Sequence, residues 1–233
     1  MTDLENWQPK TKLGKLVKEG KIKNIDEILL RGYRIMEPEI VDYLLPNLQV
    51  EFIMIGKSKG KFRRRLPYRM VQKKTAEGNK TKFEVLAVVG DGDGHVGIGL
   101  GKHPEIAVAR EKAIRNAKLN IIAIARGCGS WECDCGEPHS IPYTVWGRSG
   151  SVRVKLMPAP KGVGLVASDE VKKVLRLAGI KDIWMRSFGQ TTTKINHIKA
   201  VFDALRKLTL MKTNIEYAKR AGILIGSSIK LGQ

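Results

Sequence analysis

The sequence is poor in cysteine and has no long apolar run, and these two absences exclude several classes of protein. Its three cysteines all lie between positions 128 and 135, which suits a metal site or free thiols better than a disulfide framework. No apolar run approaches the roughly 18 residues that a membrane-spanning helix requires, and no signal peptide opens the chain. We therefore expect a soluble, intracellular protein that has no membrane partner.

Acidic residues are scarce as well, and one stretch has none at all. The 233 residues include 42 Lys and Arg against 23 Asp and Glu, a formal net charge of +19, which predicts a polyanionic partner such as nucleic acid. Residues 57–74, here called the basic arm, contain no acid, and their density of charge favours contact with phosphates over a merely solvated arm. The basic residues of the arm are Lys57, Lys59, Lys61, Arg63, Arg64, Arg65, Arg69, Lys73 and Lys74.

A glycine-rich hairpin follows the basic arm. Phe83–Val89 predicts a buried strand, Gly90–Gly94 a tight turn and His95–Leu100 a second strand. Tyr68–Lys74 is expected to pair with the first of these strands. A helix over residues 104–123, with alanines along one face, then completes a unit of three strands and one helix.

The second strand of the hairpin carries a glycine at every other position. Gly97, Gly99 and Gly101 leave one face of the strand bare, which predicts that something bulky approaches the backbone there. We expect RNA backbone on that face, so that the hairpin, Lys102 and the basic arm form one phosphate-binding surface. A nucleotide site is not expected, because the glycine spacing at the turn leads into a strand, where a dinucleotide fingerprint must open a helix.

Long blocks on both sides of the cysteines resemble a single protein family. The blocks are KFEVLAVVGDGDGHVGIGLGK, SIPYTVWGRSGSVRVKLMPAPKGVGL and LAGIKDIWMRSFGQTTTKINHIKAVFDAL. They are similar to universal small-subunit ribosomal protein five, called number two in eukaryotes. The leader WQPKTKLGKLVKEGKIKNIDEI resembles the archaeal and eukaryotic branch, which has an N-terminal extension that bacterial members lack.

This resemblance implies an α+β fold, a function and a set of partners. The first domain would be similar to a double-stranded-RNA-binding module, and the second would be an α+β domain with a left-handed βαβ crossover. The protein would be a non-enzymatic, structural constituent of the cytoplasmic small ribosomal subunit, bound to ribosomal RNA. Its neighbours would be small-subunit proteins three, four and eight, near the path by which messenger RNA enters, where the family influences decoding accuracy.

We accordingly divide the chain into five segments. They are an N-terminal extension (1–55), a double-stranded-RNA-binding-like domain (56–125), a Cys/His interdomain loop (126–139), a C-terminal α+β domain (140–210) and a C-terminal tail (211–233). The extension is expected to lie over the main body or a partner, and the tail to be mobile or bound by a partner.

Period-two patterns predict two strands at the start of the C-terminal domain. They cover Ile141–Trp146 and Ser151–Met157, on either side of a turn at Gly147–Gly150. Lys161 lies in the loop that follows and is a candidate RNA contact, with an ordinary flexible loop as the alternative. Ser168 is expected to cap the next helix.

The interdomain loop holds four soft or borderline metal ligands among glycines. Cys128, Cys133, Cys135 and His139 have the composition of a tetrahedral structural zinc site, although their spacing is not the common pair of cysteines two residues apart. The other interpretation is three reduced thiols and a surface histidine. Zinc held by four protein ligands would leave no open position for a water molecule, so neither interpretation predicts catalysis.

Two other functions stay open from the residues alone: a free-standing double-stranded-RNA-binding regulator and a zinc-assisted RNA-acting enzyme. The enzyme would need a converging acid, base or nucleophile, yet the histidines are far apart in sequence and lack a partner pattern. They are His95, His103, His139 and His197. The deaminase pattern H-x-E with P-C-x-x-C is also absent.

Overall fold

The computed structural model describes residues 7–58, 65–227 and 229–230 of the chain. None of the helices in these residues is both long enough and apolar enough to cross a membrane. The helices are α1 (Lys12–Lys18), α2 (Ile25–Leu30), α3 (Pro38–Leu44), α4 (Ile106–Leu119), α5 (Asp169–Leu177), α6 (Lys194–Leu210) and α7 (Ile215–Arg220).

The strands form two larger sheets and two small ones. In chain order they are β1 (Gln49–Phe52), β2 (Gly56–Lys57), β3 (Arg65–Leu66), β4 (Tyr68–Thr75), β5 (Gly78–Gly90), β6 (His95–His103), β7 (Ile121–Ala123), β8 (Ala125–Arg126), β9 (Val145–Ser149), β10 (Val152–Pro158), β11 (Leu165–Val166), β12 (Ile183–Phe188), β13 (Leu224–Ile225) and β14 (Ile229–Lys230).

The predicted hairpin is the centre of the first sheet, whose order is β1-β5-β6-β7. Strands β5 and β6 are antiparallel, with Phe83 opposite His103 and Gly90 opposite Val96. Strand β4 pairs with the outer part of β5, from Tyr68 opposite Val85 to Thr75 opposite Gly78. Helix α4 lies on this sheet with three of its four alanines, Ala109, Ala113 and Ala117, buried. The predicted order of three strands and one helix is therefore present.

The second sheet has the order β11-β12-β10-β9, and helix α6 packs on its inner face. The prediction of a turn at Gly147–Gly150 is wrong, because β9 continues through Gly147 to Ser149. A Cβ on Gly147 would lie 2.0 Å from the backbone oxygen of Ala200, so this glycine lets α6 approach the strand. Ser168 occupies the N-cap position of α5 as predicted, but its hydroxyl makes no capping hydrogen bond.

One apolar core joins the two halves of the chain. Leu86 and Ile98 of the first sheet belong to the same buried cluster as Val154 of the second sheet, Leu175 of α5 and Ile198 of α6. The loop between the halves therefore connects elements that already pack together.

The N-terminal extension lies over the main body, which was one of its two expected positions. Val17, Ile28 and Ile40, one from each of its helices, are buried in a second apolar cluster together with Ile121 of β7. Burial of these side chains provides the free energy that holds three short helices in place.

The described part of the C-terminal segment, residues 211–227 and 229–230, is folded onto the main body, so the expectation of a mobile tail is wrong, and binding by a partner stays a prediction. Helix α7 buries Ala218, and Ile223 is buried beyond it. Strand β13 then pairs antiparallel with β8, with Leu224 opposite Arg126. This packing was not predicted because the pairing partner of β13 lies about a hundred residues earlier in the chain, where local periodicity gives no signal.

Candidate nucleic-acid interface and metal centre

A row of exposed basic side chains runs along one face of the β4–β5 hairpin and onto β6. Opposite residues in an antiparallel pair point to the same side of the sheet, and side chains alternate along each strand. The observed register therefore places five cations on one face, which we call the basic ribbon. Its members are Arg69, Lys73, Lys80, Lys82 and Lys102.

Like charges face each other directly at two places near this surface. Lys73 lies opposite Lys80, and in the small neighbouring sheet Lys57 lies opposite Arg65. All four side chains are exposed. Cations directly opposite each other destabilise an isolated strand pair, so both pairs favour an external anion between them.

One buried carboxylate anchors the inner end of the basic ribbon. Glu84 is almost fully buried; its Oε1 lies 2.9 Å from Nζ of Lys102, and its Oε2 accepts a hydrogen bond from Arg69. Burial alone would raise the pKa of Glu84, but the hydrogen bonds and charges of Lys102 and Arg69 outweigh burial and hold its pKa below the ordinary value. Farther out, Lys80 pairs with the exposed carboxylate of Glu77, its Nζ lying 2.7 Å from Oε2, so that ion pair is open to solvent whereas Glu84 is buried.

The predicted arm is thus placed only in part. Arg69 and Lys73 belong to the basic ribbon, whereas Lys74 is exposed on the opposite face of β4. Lys57 and Arg65 lie opposite each other in the separate small sheet formed by β2 and β3. Four further candidates lie outside the described residues: Lys59, Lys61, Arg63 and Arg64. Lys80 and Lys82 lie outside the predicted arm, although the alternation of side chains along a paired strand places them beside it.

The expectation that RNA lies against Gly97, Gly99 and Gly101 is wrong, because the chain's own helix α4 covers that face. A Cβ on Gly97 would lie 2.3 Å from the backbone oxygen of Ala117, and one on Gly99 would lie 2.1 Å from the backbone nitrogen of the same residue. A Cβ on Gly101 would similarly meet the backbone oxygen of Ala109 at 2.2 Å. The bulky approaching group is a helix backbone.

The turn of the central hairpin is likewise occupied by protein contacts. The backbone N–H of Gly92 donates to the carbonyl of Leu177 at the end of α5. Asp93 accepts a hydrogen bond of 2.6 Å from Arg126, which also donates to the carbonyl of Gly226 at 3.0 Å. The turn therefore joins the two halves of the fold, and we remove it from the phosphate-binding surface.

The four predicted metal ligands converge at one place. The thiol sulfurs of Cys128, Cys133 and Cys135 and a ring nitrogen of His139 all lie within 4.8 Å of one another. Ligands of a tetrahedral zinc ion, with bonds of about 2.0 to 2.3 Å, are separated by roughly 3.3 to 3.8 Å. Closing around an ion would therefore need only small movements of these side chains.

The orientation of His139 fits a metal ligand better than a surface histidine. Its ring is buried, and its Nδ1 lies 2.9 Å from Oδ2 of Asp182. Its Nε2 faces the thiols, 4.0 Å from the sulfur of Cys133. A carboxylate that accepts the proton of one ring nitrogen leaves the other nitrogen unprotonated for a metal.

Asp182 is held in place by hydrogen bonds from the backbone, and no sequence pattern predicts its contact with His139. Its Oδ1 accepts hydrogen bonds of 3.1 Å from Gly162 N–H and 2.8 Å from Gly164 N–H. It lies far along the chain from His139, so only the folded structure brings the two together.

The three cysteines form no disulfide, and the pKa values of two of them are shifted in opposite directions. Burial raises the pKa of Cys128 to about 11. Hydrogen bonds from the backbone of Lys161 and of Cys135 lower the pKa of Cys133 to about 6. The backbone around Cys133, from its own loop and from the loop that contains Lys161, therefore favours a thiolate there, which is the form that binds metals.

Lys161 lies beside this cluster. Its Nζ is 2.7 Å from Oε2 of Glu137, and this contact raises the pKa of Lys161. Its role as an RNA contact stays a prediction.

The family models and the curated proteins that this chain resembles all belong to one family. Residues 63–125 match the family model "Ribosomal protein S5, N-terminal domain", and residues 147–220 match "Ribosomal protein S5, C-terminal domain". A curated protein of Nanoarchaeum equitans, named small ribosomal subunit protein uS5, is 66% identical over 229 residues, covering 98% of this chain and 99% of its own. The protein of the same name from Thermofilum pendens is 55% identical over 201 residues, 86% of this chain and 93% of its own. That of Staphylothermus marinus is 52% identical over 216 residues, 93% of this chain and 95% of its own.

Proposed function

The chain belongs to the ribosomal protein S5 family, and on this premise we propose that its basic ribbon binds ribosomal RNA within the small ribosomal subunit. The protein is a structural constituent of that subunit in the cytoplasm, and it is not an enzyme. The observation that carries the RNA contact is the row of five cations against one buried carboxylate, Glu84. Neutralising phosphates and releasing their counterions would relieve the repulsion between Lys73 and Lys80.

The RNA partner of the ribbon is double-stranded. The order β4-β5-β6-α4 supports a module similar to double-stranded-RNA-binding domains, which read the shape, phosphates and 2′-hydroxyls of an A-form duplex. Such recognition needs a regular array of cations and no base-specific contacts. The ribbon provides that array on a stiff pair of strands.

The second half carries the family's left-handed crossover, formed by β11, α5 and β12, in which the parallel strands β11 and β12 are adjacent. Its neighbours are small-subunit proteins three, four and eight, close to incoming messenger RNA. Through that position the protein contributes to decoding accuracy. This part of the proposal rests on the family resemblance of the long sequence blocks.

A structural zinc ion completes the interdomain loop. Cys128, Cys133, Cys135 and His139 would hold it, and Asp182 would orient the histidine. The fit is supported by the convergence of four ligand atoms and by the buried, carboxylate-bound ring of His139. When bound, the ion would add stability to the loop, because its binding free energy becomes local folding free energy.

Sedimentation tests the ribosomal assignment. The full-length protein, added to subunits that lack it, should sediment with the small subunit and remain there through a high-salt wash. A free-standing double-stranded-RNA-binding regulator, the competing function, would dissociate in that wash, because contacts with phosphates alone weaken steeply with salt. Loss of the protein from washed subunits would therefore overturn the proposal.

A further inference from the structure

The outer face of the second sheet combines exposed aromatic rings with positive charge. Residues of β9, β10 and β12 alternate between the core and solvent. The outward positions include six residues that we call the aromatic platform. They are Trp146, Arg148, Arg153, Lys155, Arg186 and Phe188.

Two large rings in the platform are held together at the surface. Trp146 and Phe188 are stacked, with ring centroids 5.7 Å apart and planes inclined by 25°. They remain 48% and 45% exposed, and the amine of Lys155 lies 5.5 Å from the centre of the Trp146 ring. These two rings leave apolar surface in contact with water instead of packing it in the core. A partner that stacked on them would remove that surface from water, which is favourable.

The charge of this face has one sign. Strands β9, β10, β11 and β12, all within the described part of the chain, contain no Asp or Glu. Arg153 lies directly between Arg148 and Phe188 in the register, and Lys155 lies between Trp146 and Arg186. Each aromatic residue of the stacked pair therefore has a cation opposite it on the central strand.

We propose that the aromatic platform binds a single-stranded segment of RNA. Rings and cations that alternate over a sheet are suited to a strand whose bases stack on the rings while its phosphates lie beside the cations. A duplex would satisfy the cations alone, since its bases are already stacked. Trp, Phe and Arg are also enriched in protein interfaces, so a protein partner is the alternative that the test must separate. The strands of this face contain no Asp or Glu, and this single sign of charge favours RNA as the partner. This surface lies in the other half of the chain from the basic ribbon and is argued independently of it.

The test measures binding of full-length variants to two labelled probes by fluorescence anisotropy. One probe is a single-stranded oligouridine of about ten nucleotides, and the other is an RNA duplex of equal length. Trp146→Ala and Phe188→Ala should each weaken single-strand binding about fivefold or more, the lower end of the usual loss for one stacking residue. Both should leave duplex binding unchanged, because the duplex is held by the ribbon.

Two further variants serve as controls for the loss of a ring. Trp131→Ala makes the same change at a tryptophan that is 88% exposed in the interdomain loop, and it should leave both affinities unchanged. Trp146→Phe keeps a ring and should retain most of the single-strand affinity. Circular dichroism of each variant should match the parent, since both platform rings lie outside the core.

Three outcomes would overturn the proposal. Single-strand affinity unchanged in Trp146→Ala and Phe188→Ala would mean that the platform does not bind RNA. Equal losses for both probes would mean that the rings only support nearby cations. Ultraviolet cross-links from the platform to protein and not to RNA in assembled subunits would identify a protein partner. None of these results would affect the ribosomal assignment, which the sedimentation test decides.

Discussion

The imidazole Nε2 of His95 lies 2.8 Å from Oδ1 of Asp26, and both side chains are buried. The other ring nitrogen of His95 contacts Asp91 in the hairpin turn. Asp26 also accepts a hydrogen bond from the backbone N–H of Ser227 near the C-terminus. A single histidine thus connects the N-terminal extension, the central hairpin and the C-terminal segment.

This connection predicts a loss of stability at alkaline pH. Burial alone would lower the pKa of His95, but its hydrogen bonds with Asp26 and Asp91 outweigh burial and raise the pKa from 6.5 to about 9. A pKa raised in the folded state gives stability that is fully present below the unfolded value and is lost as the pH rises through about 9. The loss amounts to about 3 kcal/mol at most.

Urea unfolding of the parent and of His95→Gln measures this effect. The parent should be the more stable below about pH 6, and the difference should shrink steadily towards about pH 10. Taking the difference removes the contribution of other titrating groups. A difference that stayed constant over this range would contradict a protonated His95 in the folded protein.

A second prediction concerns the glycines that helix α4 covers. Gly99→Ala should destabilise the protein by about 1 to 3 kcal/mol or more, because the added Cβ would lie 2.2 Å from the backbone oxygen of Ala113 and a backbone contact cannot be relieved by a rotamer change. Thermal unfolding measures the loss. Gly127→Ala, whose nearest contact would be 3.0 Å, should cost less. Equal stability of Gly99→Ala and the parent would mean that α4 does not press on the strand.

The glycines of β6 show how much of the structure could be predicted from the sequence. Their alternate spacing correctly predicted a close approach to the backbone, yet the absence of a Cβ does not identify what approaches. The answer, the alanine face of the next helix, was adjacent in sequence. By contrast, α7 has six residues and β13 has two, and both are too short for a clear periodic pattern. The pairing of β13 with β8, in which Leu224 lies opposite Arg126, joins segments too distant in sequence for such a pattern to reveal.

The candidate sites show the same limit, since residues close together in sequence could be predicted and residues that only the fold brings together could not. Cys128, Cys133, Cys135 and His139 were found because all four lie within one short loop. Asp182, which orients His139 from another part of the chain, could not be predicted. Lys80 and Lys82 needed only the strand register, whereas the aromatic platform required three strands to be placed side by side.

A third prediction concerns the basic ribbon. Changing Lys73, Lys80 and Lys82 together to Ala should weaken binding to duplex RNA. The slope of log affinity against log salt should fall in magnitude by up to about three, one for each lost phosphate contact. Filter binding of the full-length protein across a series of salt concentrations measures both quantities.

The matched control for the ribbon removes the same charge elsewhere. Lys12, Lys15 and Lys21 are exposed in and after the first helix, and changing all three to Ala should leave the salt slope near that of the parent. If the slope of log affinity against log salt fell equally in the control and in the ribbon variant, duplex binding would depend on net charge and not on the ribbon.

A fourth prediction concerns zinc in the interdomain loop. Purified protein should carry close to one equivalent of zinc by elemental analysis, and Cys133→Ser should lose most of it because the thiolate favoured at that position is removed. Asp182→Asn should bind zinc about 10- to 100-fold more weakly in a chelator competition, because the amide no longer fixes the ring of His139 as a carboxylate does.

The same loop offers a control that separates orientation from general loss of charge. Asp134→Asn makes the same chemical change at an exposed carboxylate whose partner is Arg220 and not a metal ligand. Its zinc affinity should equal that of the parent. If Asp182→Asn and Asp134→Asn behaved alike, the contact between Asp182 and His139 would be structural only. If the parent itself carried no zinc, the three cysteines would be ordinary reduced thiols, and the family assignment would still stand because it rests on the sequence comparisons.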